Sequence, residues 1–270
     1  MLEFYRTAPF NASESPAAMA TQIRAHNAAL AYPPLDELLL PGQRVLDAGC
    51  GTGWLTNSIA YHCGCTAVGI DFNPTAIEFA QATAQALDVP STFEVADLFL
   101  WEPASCFQVV VSLGVLHHTD DCEAGLRHLF CNALCPGGSA LIGLYHSYGR
   151  RPFLEHFATM KSAGASEEQM LDRFRALFGP QKIDETHCRS WFRDQVLHPH
   201  ETQHSLKELM PIIQGCSLEL VSTSLNDFQP ISKVQEILDA EPTWEDVARE
   251  RLASNRYFPG FFVFLARKRH

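Results

Sequence analysis

Val45-Leu-Asp-Ala-Gly-Cys-Gly-Thr-Gly53 is the stretch on which the reading of this chain turns. Arg44 to Asp47 has the short apolar character of a buried strand, and Trp54 to His62 has helical character. The glycines between them therefore fill a tight strand-to-helix turn. Many such turns hold phosphates, but this one lacks the spacing. A dinucleotide fingerprint, G-x-G-x-x-G, would end on Trp54 if counted from Gly49 and on Thr56 if counted from Gly51. The G-K-[ST] of a nucleotide-hydrolysing loop is absent as well. Asp47, at the mouth of the turn, would repel a pyrophosphate and suit a ligand with a cationic part.

Outward from the turn, strands alternate with helices. Thr66–Asp71 reads as a strand, and Asn73-Pro74 opens a helix, Asn73 as its cap, with Ile77, Ala80, Ala84 and Leu87 at helical spacing. Strands follow at Thr92–Val95, Phe107–Leu113 and Ser139–Tyr145, the helix before the last stopping at Pro136-Gly137-Gly138. Upstream, residues 16–40 read as helical with an interruption at Pro33-Pro34. This rhythm predicts an α/β fold with a mostly parallel sheet, whose ligands lie beyond the strand ends, after Asp47, Asp71, Val95, Leu113 and Tyr145. After Tyr148 the rhythm breaks. Residues 150–204 read as an inserted helical cap, amphipathic around Phe153, Phe157, Met160, Met170, Phe174 and Phe178. Ser205 and Glu208 form a capping box for a helix over 206–214, Ser217–Ser224 and Gly260–Ala266 read as strands, and 230–254 as helical. The expected division is 1–149 for an N-terminal lid and cofactor core, 150–204 for the cap, and 205–270 for a return to the sheet.

Asp71, 18 residues past Gly53, suits a ribose diol, because a carboxylate accepts two hydroxyl hydrogen bonds. Asp97, just past the third strand, can accept from an exocyclic amine. Ribose, base and a cationic amino-acid group together describe S-adenosylmethionine. The glycine turn, Gly69-Ile-Asp71, Ala96-Asp97-Leu98, Val115-Leu-His-His-Thr119 and Leu134-Cys-Pro-Gly-Gly138 strongly resemble the class I S-adenosylmethionine-dependent methyltransferases, in order and spacing over residues 40–146. The resemblance implies a Rossmann-like, seven-stranded, mostly parallel sheet whose last strand is antiparallel and inserted between the fifth and sixth. It also implies that the backbone from Asp47 through Gly49 and Gly51 to Gly53 approaches the methionine moiety. Asp71 would bind the ribose with Phe72 beside it, Asp97 would face the adenine amine with Leu98 stacking nearby, and Gly114 with Val115 would line the pocket. Tyr5 and Phe10 would fold over the cofactor as a lid.

Charge and cysteine content bound the partners. Residues 1–120 hold three basic side chains against twelve acidic ones, and the whole chain carries a formal charge of −11. Nucleic-acid binders draw much of their affinity from basic faces, so nucleic acid is disfavoured as a partner and a small-molecule methyl acceptor is expected. No stretch approaches the roughly 18 apolar residues of a membrane span, and Met1 to Phe10 lacks the pattern of a secretory signal. Nine cysteines, an odd number, read as reduced thiols in a cytoplasm, with Cys131 and Cys135 at i, i+4 on a helix. A homodimer is left open.

Methyl transfer from a sulfonium mainly needs an aligned nucleophile and exclusion of water, with a general base where the acceptor must lose a proton. The ranked candidates are His117 and His118 after the fourth strand, Tyr145 and His146 after the fifth, and His200 within His198-Pro-His200-Glu201-x-x-His204. Arg150 and Arg151 could take a substrate carboxylate, and Trp191 and Phe192 with the phenylalanines of 153–178 could wall an apolar pocket, although aromatics at helical spacing are more often core. No metal is assigned, since Pro199 breaks any regular helix of histidines. The expected function is methyl transfer from S-adenosylmethionine to a small molecule. An RNA or protein methyltransferase, or a non-catalytic S-adenosylmethionine-binding protein, is the alternative.

Overall fold

The computed structural model describes residues 13–179 and 184–270. Seven strands form one sheet: β1 (Arg44–Ala48), β2 (Thr66–Asp71), β3 (Thr92–Val95), β4 (Phe107–Leu113), β5 (Leu134–Tyr145), β6 (Leu218–Thr223) and β7 (Phe261–Lys268). Their order is β3-β2-β1-β4-β5-β7-β6. The first five are parallel, while β7 runs antiparallel to both of its neighbours, as the resemblance implied. β1 is the pivot of this order. The chain steps outward from it to β2 and β3, then returns to its other side at β4, so a crevice opens where the winding reverses.

Both faces of the sheet are covered, which is why its central strands are apolar almost without a break. On one face Leu46, Ile70, Val110, Ile142 and Phe264 pack under Leu126, Phe130, Leu209 and Ile213. On the other, Val45, Ala67, Val109, Val111 and Leu265 pack under Leu35 and Ile59. The helix Pro74–Leu87 begins as expected, with the Asn73 side chain accepting from the Thr75 N–H and Pro74 at the first position. Ser205 and Glu208 close their capping box on the helix Leu206–Gly215.

Four expectations are corrected. Pro33-Pro34 does not interrupt a helix but opens one, Pro33–Leu38, because proline's missing N–H costs nothing in a first turn. The helical segment before β5 ends at Ala133, and Leu134-Cys-Pro-Gly-Gly138 already belongs to the strand, where Leu134 pairs with Phe107. The helical stretch over 230–254 is two helices, Val234–Ala240 and Thr243–Ala253, divided at Glu241-Pro242. Finally, not all thiols are free. Cys135 lies on β5 rather than on a helix and is disulfide-bonded to Cys106.

The helices Ser147–Ser162, Glu167–Ala176 and Glu185–Val196 enclose a cluster of Phe153, Phe157, Met170, Phe174 and Phe192, completed by Leu252 and Tyr257. Those phenylalanines fill a core of their own instead of walling a pocket, the commoner fate of aromatics at helical spacing. Among the described residues no helix is long and apolar enough to cross a membrane. The lid residues Tyr5 and Phe10 lie outside the described residues.

Candidate cofactor and acceptor site

Gly49, Gly51 and Gly53 all adopt positive φ, +80°, +52° and +75°. Their surroundings differ. A Cβ on Gly49 would lie 2.4 Å from Val115 Cγ2, and one on Gly53 would lie 2.6 Å from the Ala80 Cβ, so these two glycines let chain pack on chain. A Cβ on Gly51, or on Gly114 at φ +78°, would meet nothing within 4 Å. Val115 against Gly49 sets the Gly114 turn beside the Gly51 turn. Bare backbone from the ends of β1 and β4 thus faces open space, the cradle a close-fitting ligand requires.

Carboxylates border this cradle. Asp71 ends β2, where its Oδ2 accepts from the Gly51 N–H at 2.9 Å and its Oδ1 from the Asn73 N–H at 2.9 Å. Each oxygen retains a second acceptor site for a diol. Burial raises the Asp71 carboxyl above its ordinary range, against the pull of those two N–H groups. Asp47 is 5% exposed and accepts from the Thr56 hydroxyl at 2.6 Å. Burial first, and then the charge of Asp71, lifts it to about 6 although the Thr56 bond opposes. Two destabilised carboxylates at one turn form a site that favours a cation. Ala96 N–H donates to the Asp71 carbonyl at 2.9 Å, tying the turn after β3 to the end of β2. Asp97, exposed on that turn, accepts from the Phe99 N–H at 2.9 Å, and Leu98 is half-buried beside it. Phe72 follows Asp71 at 38% exposure. Cation-seeking carboxylates, a diol acceptor and open glycine backbone fit S-adenosylmethionine.

Beyond β4 and β5 the candidate catalytic groups separate by geometry. The buried His117 ring stacks on Tyr145 with centroids 4.0 Å apart, and its Nδ1 accepts from the Tyr145 N–H at 3.2 Å. The ring hydrogen therefore sits on Nε2, so His117 offers a donor and no free lone pair. Burial, then neighbouring His118, holds it well below the usual imidazole range. His118 is the converse. Its Nδ1 donates to the His200 carbonyl at 3.0 Å, which leaves a lone pair on Nε2. That nitrogen is buried without a hydrogen-bond partner, 3.9 Å from the Asp194 carboxylate. Burial pushes His118 down to about 4, so it is neutral near pH 7. The Tyr145 ring faces His117 and Phe261. His146, its neighbour on the strand, turns the other way onto Phe262 and Trp244, and its Nδ1 caps a helix by accepting from the Gly149 N–H. His146 is thus apart from the other candidates.

The histidine-rich segment is a strap laid over the two strand ends. Thr202 N–H donates to the His117 carbonyl at 2.7 Å, the exposed His200 ring donates to the Thr119 carbonyl at 3.1 Å, and His204 N–H donates to the Tyr145 carbonyl at 2.9 Å. His198 packs its ring on His118, centroids 3.9 Å apart. Among the described residues no group of three or more His, Cys, Asp or Glu is arranged to hold a metal ion.

Arg150 is a correction. It is fully buried and holds Glu201 through Nε at 2.9 Å and Nη2 at 2.6 Å, the Gln195 carbonyl at 2.7 Å and the Pro259 carbonyl at 3.3 Å. Its guanidinium lies 3.8 Å over the Tyr145 ring. A group so occupied has no capacity for a substrate carboxylate; it clamps strap, cap and β5 together. Arg151, on the surface, pairs with Glu245. The sequence reading singled out Glu201 only as part of the histidine-rich stretch, and it missed Gln195 and Tyr257, whose hydroxyl donates to the Gln195 side chain at 2.7 Å. A buried arginine implies a buried acid, but nothing in the sequence paired Arg150 with Glu201.

The methyltransferase domain family matches residues 45–138, the span from β1 into the start of β5. The chain is 28% identical over 209 residues to an uncharacterised protein of Synechococcus sp., covering 69% of this chain and 50% of that one. It is 36% identical over 127 residues to phosphoethanolamine N-methyltransferase 1 of Arabidopsis thaliana, covering 47% of this chain and 26% of the relative. The chain thus spans half or less of the length of these two relatives. Among solved structures, PKMT2 from Rickettsia typhi in complex with AdoHcy superposes with a TM-score of 0.64 at 16% identity, covering 90% of this chain and 55% of that one. The domain match, the sheet order and the glycine turn agree: residues 45–138 carry a methyltransferase domain, set in a sheet with the strand order expected of the class I S-adenosylmethionine-dependent methyltransferases.

Proposed function

We propose that this protein transfers a methyl group from S-adenosylmethionine to a nucleophilic atom of a small-molecule acceptor. The observation that carries this is the pairing of an open, anionic glycine cradle with a buried, unpartnered imidazole lone pair a few residues further along the same rim. Asp47, Gly49, Gly51, Gly53, Asp71, Phe72, Asp97, Leu98 and Gly114 are proposed to hold the cofactor, which supplies an electrophilic methyl on a sulfonium. Asp71 would accept from the ribose hydroxyls, and the Asp47 carboxylate would favour the cationic end.

Among the acceptor-side groups His118 ranks first. Its neutral Nε2 can accept a hydrogen bond from an O–H or N–H nucleophile and take the proton as the methyl arrives, with Asp194 beside the resulting imidazolium. His117 can only donate from Nε2, which suits orienting an acceptor oxygen. Tyr145 sits over His117 and supplies a ring wall. The net charge of −11 supports a small acceptor over a nucleic acid.

The decisive experiment is calorimetry of S-adenosylhomocysteine binding to Asp71→Asn, which keeps the shape but weakens both diol contacts. Charge-assisted hydrogen bonds contribute about 1.5–3 kcal/mol each, so affinity should fall at least about tenfold with the fold retained by circular dichroism. Affinity within a few-fold of wild type would remove the proposed cradle.

A further inference from the structure

At the other end of the sheet, remote from the glycine turn, two free cysteines meet. Cys131 lies in the helical turn Leu129–Ala133 that feeds β5, and Cys216 caps the helix Leu206–Gly215 that feeds β6. Their sulfurs are 3.4 Å apart, although 85 residues separate them in sequence. Cys131 is exposed and Cys216 is 6% exposed. We propose that Cys131 and Cys216 form a thiol–disulfide site, in which Cys131 is attacked or attacks first from solvent and Cys216 closes the cross-link.

The surroundings suit that division of labour. Thiol exchange needs a thiolate, and thiolates are favoured by nearby cations. Lys268 on β7 sends its ammonium to the carbonyls of Phe130 at 2.6 Å, Leu134 at 3.0 Å and Cys131 at 3.4 Å, bracketing the turn. The Arg127 guanidinium reaches the end of the other helix, 3.9 Å from where a Cβ on Gly215 would lie. Burial raises the Cys216 thiol to about 11, and the charges of Arg127 and Lys268 oppose it. Cys131, the exposed thiol of the two, therefore meets the oxidant. Cys216, shielded, is reached only by its neighbour.

With a small disulfide RSSR as oxidant the step balances. The Cys131 thiolate attacks one sulfur of RSSR, giving a Cys131–SR mixed disulfide and releasing RS⁻. Cys216 loses its proton to solvent and attacks the Cys131 sulfur, forming the Cys131–Cys216 bond and releasing a second RS⁻. The protein loses two electrons, and the oxidant is reduced to two thiols. The product would fasten the turn before β5 to the helix before β6, beside the existing Cys106–Cys135 bond. Nothing in this chemistry depends on methyl transfer.

The test is oxidation of the purified chain with glutathione disulfide, quenched with N-ethylmaleimide and mapped by mass spectrometry. The expected result is a linked pair of peptides containing Cys131 and Cys216, these two thiols disappearing together. Cys216→Ser should instead trap Cys131 as a stable glutathione mixed disulfide, while Cys131→Ser should leave Cys216 unmodified. Glutathione accumulating on Cys131 in wild type without linkage, linkage of Cys131 to Cys135, or no reaction at either thiol would each overturn the proposal. The wild-type map decides this even if a variant folds poorly.

Discussion

Alanine at Gly49 and alanine at Gly51 are the same change two residues apart, and the geometry assigns them different failures. At Gly49, φ is +80°, where a side chain costs about 1–2 kcal/mol. The new Cβ would also sit 2.4 Å from one Val115 methyl and 2.5 Å from the other, against a normal carbon separation of about 3.5–4.0 Å. Opening that gap is overpacking, worth about 1–3 kcal/mol. The total of about 2–5 kcal/mol should lower Tm by roughly 5–15 °C in a domain of this size. At Gly51 φ is +52° and a Cβ meets nothing within 4 Å, so only the backbone part applies and Tm should fall by a few degrees. The methyl would instead intrude on the proposed cofactor space. Gly51→Ala should therefore lose S-adenosylhomocysteine binding by calorimetry while remaining folded. Val115→Ala removes both methyls but keeps its own Cβ 2.9 Å away, so it should rescue Gly49→Ala in part, a coupling of about 0.5–3 kcal/mol in a double-mutant cycle. If Gly49→Ala is no worse than Gly51→Ala by calorimetric Tm, or Val115→Ala gives no rescue, the assignment of Gly49 to chain packing is wrong.

Glu201→Gln should destabilise by about 3–5 kcal/mol in denaturant titration, because it strands the fully buried Arg150 charge. Glu245→Gln, which faces the half-exposed Arg151, should have a far smaller effect because solvent screens that pair, and equal effects would contradict the buried clamp. Asp47 gives a pH prediction. Its carboxyl stands at about 6 in the folded chain against 3.8 for the free group, so the fold prefers it protonated. That contribution is fully present below about pH 4 and is lost as pH rises through about 6, a swing of up to about 3 kcal/mol. Asp71 is raised as well and acts in the same direction. Asp47→Asn should flatten this window and stabilise the ligand-free protein at pH 7 while weakening cofactor binding; a variant less stable than wild type at pH 7 would argue against it.

Local signals carried well from sequence to structure. Asn73 with Pro74, and Ser205 with Glu208, fix helix starts through contacts within three residues, and both stand where expected. The apolar runs of β1, β2 and β4 were equally legible, since most of each is buried or half-buried, and β3 was placed correctly although three of its four residues are exposed. What failed was non-local. Arg150 next to Arg151 gave no hint that one is sealed and the other wet, because Glu201 lies 51 residues away. Cys106 and Cys135 meet only because β4 pairs with β5, and Leu134–Gly138, rich in turn formers, is drawn into β5 by the same pairing. The histidines after β4 were identified as a group, yet their opposite hydrogen-bonding roles depend on which backbone atom each Nδ1 meets, Tyr145 N–H or the His200 carbonyl. No sequence pattern encodes that choice.

The place of β7 in the sheet has a consequence for how the chain is made. Among the described residues β6, which ends at Thr223, pairs only with β7, which begins at Phe261 and also supplies the missing neighbour of β5. During vectorial synthesis the five parallel strands can assemble early, but β5 keeps an open apolar edge and β6 has nowhere to dock until the final strand emerges. Leu141, Ile142 and Leu144 stay vulnerable to foreign pairing throughout that interval. Slow translation or heat stress between residues 224 and 260 should therefore favour aggregation through β5, and a β7 peptide supplied in trans is the natural competitor for that edge.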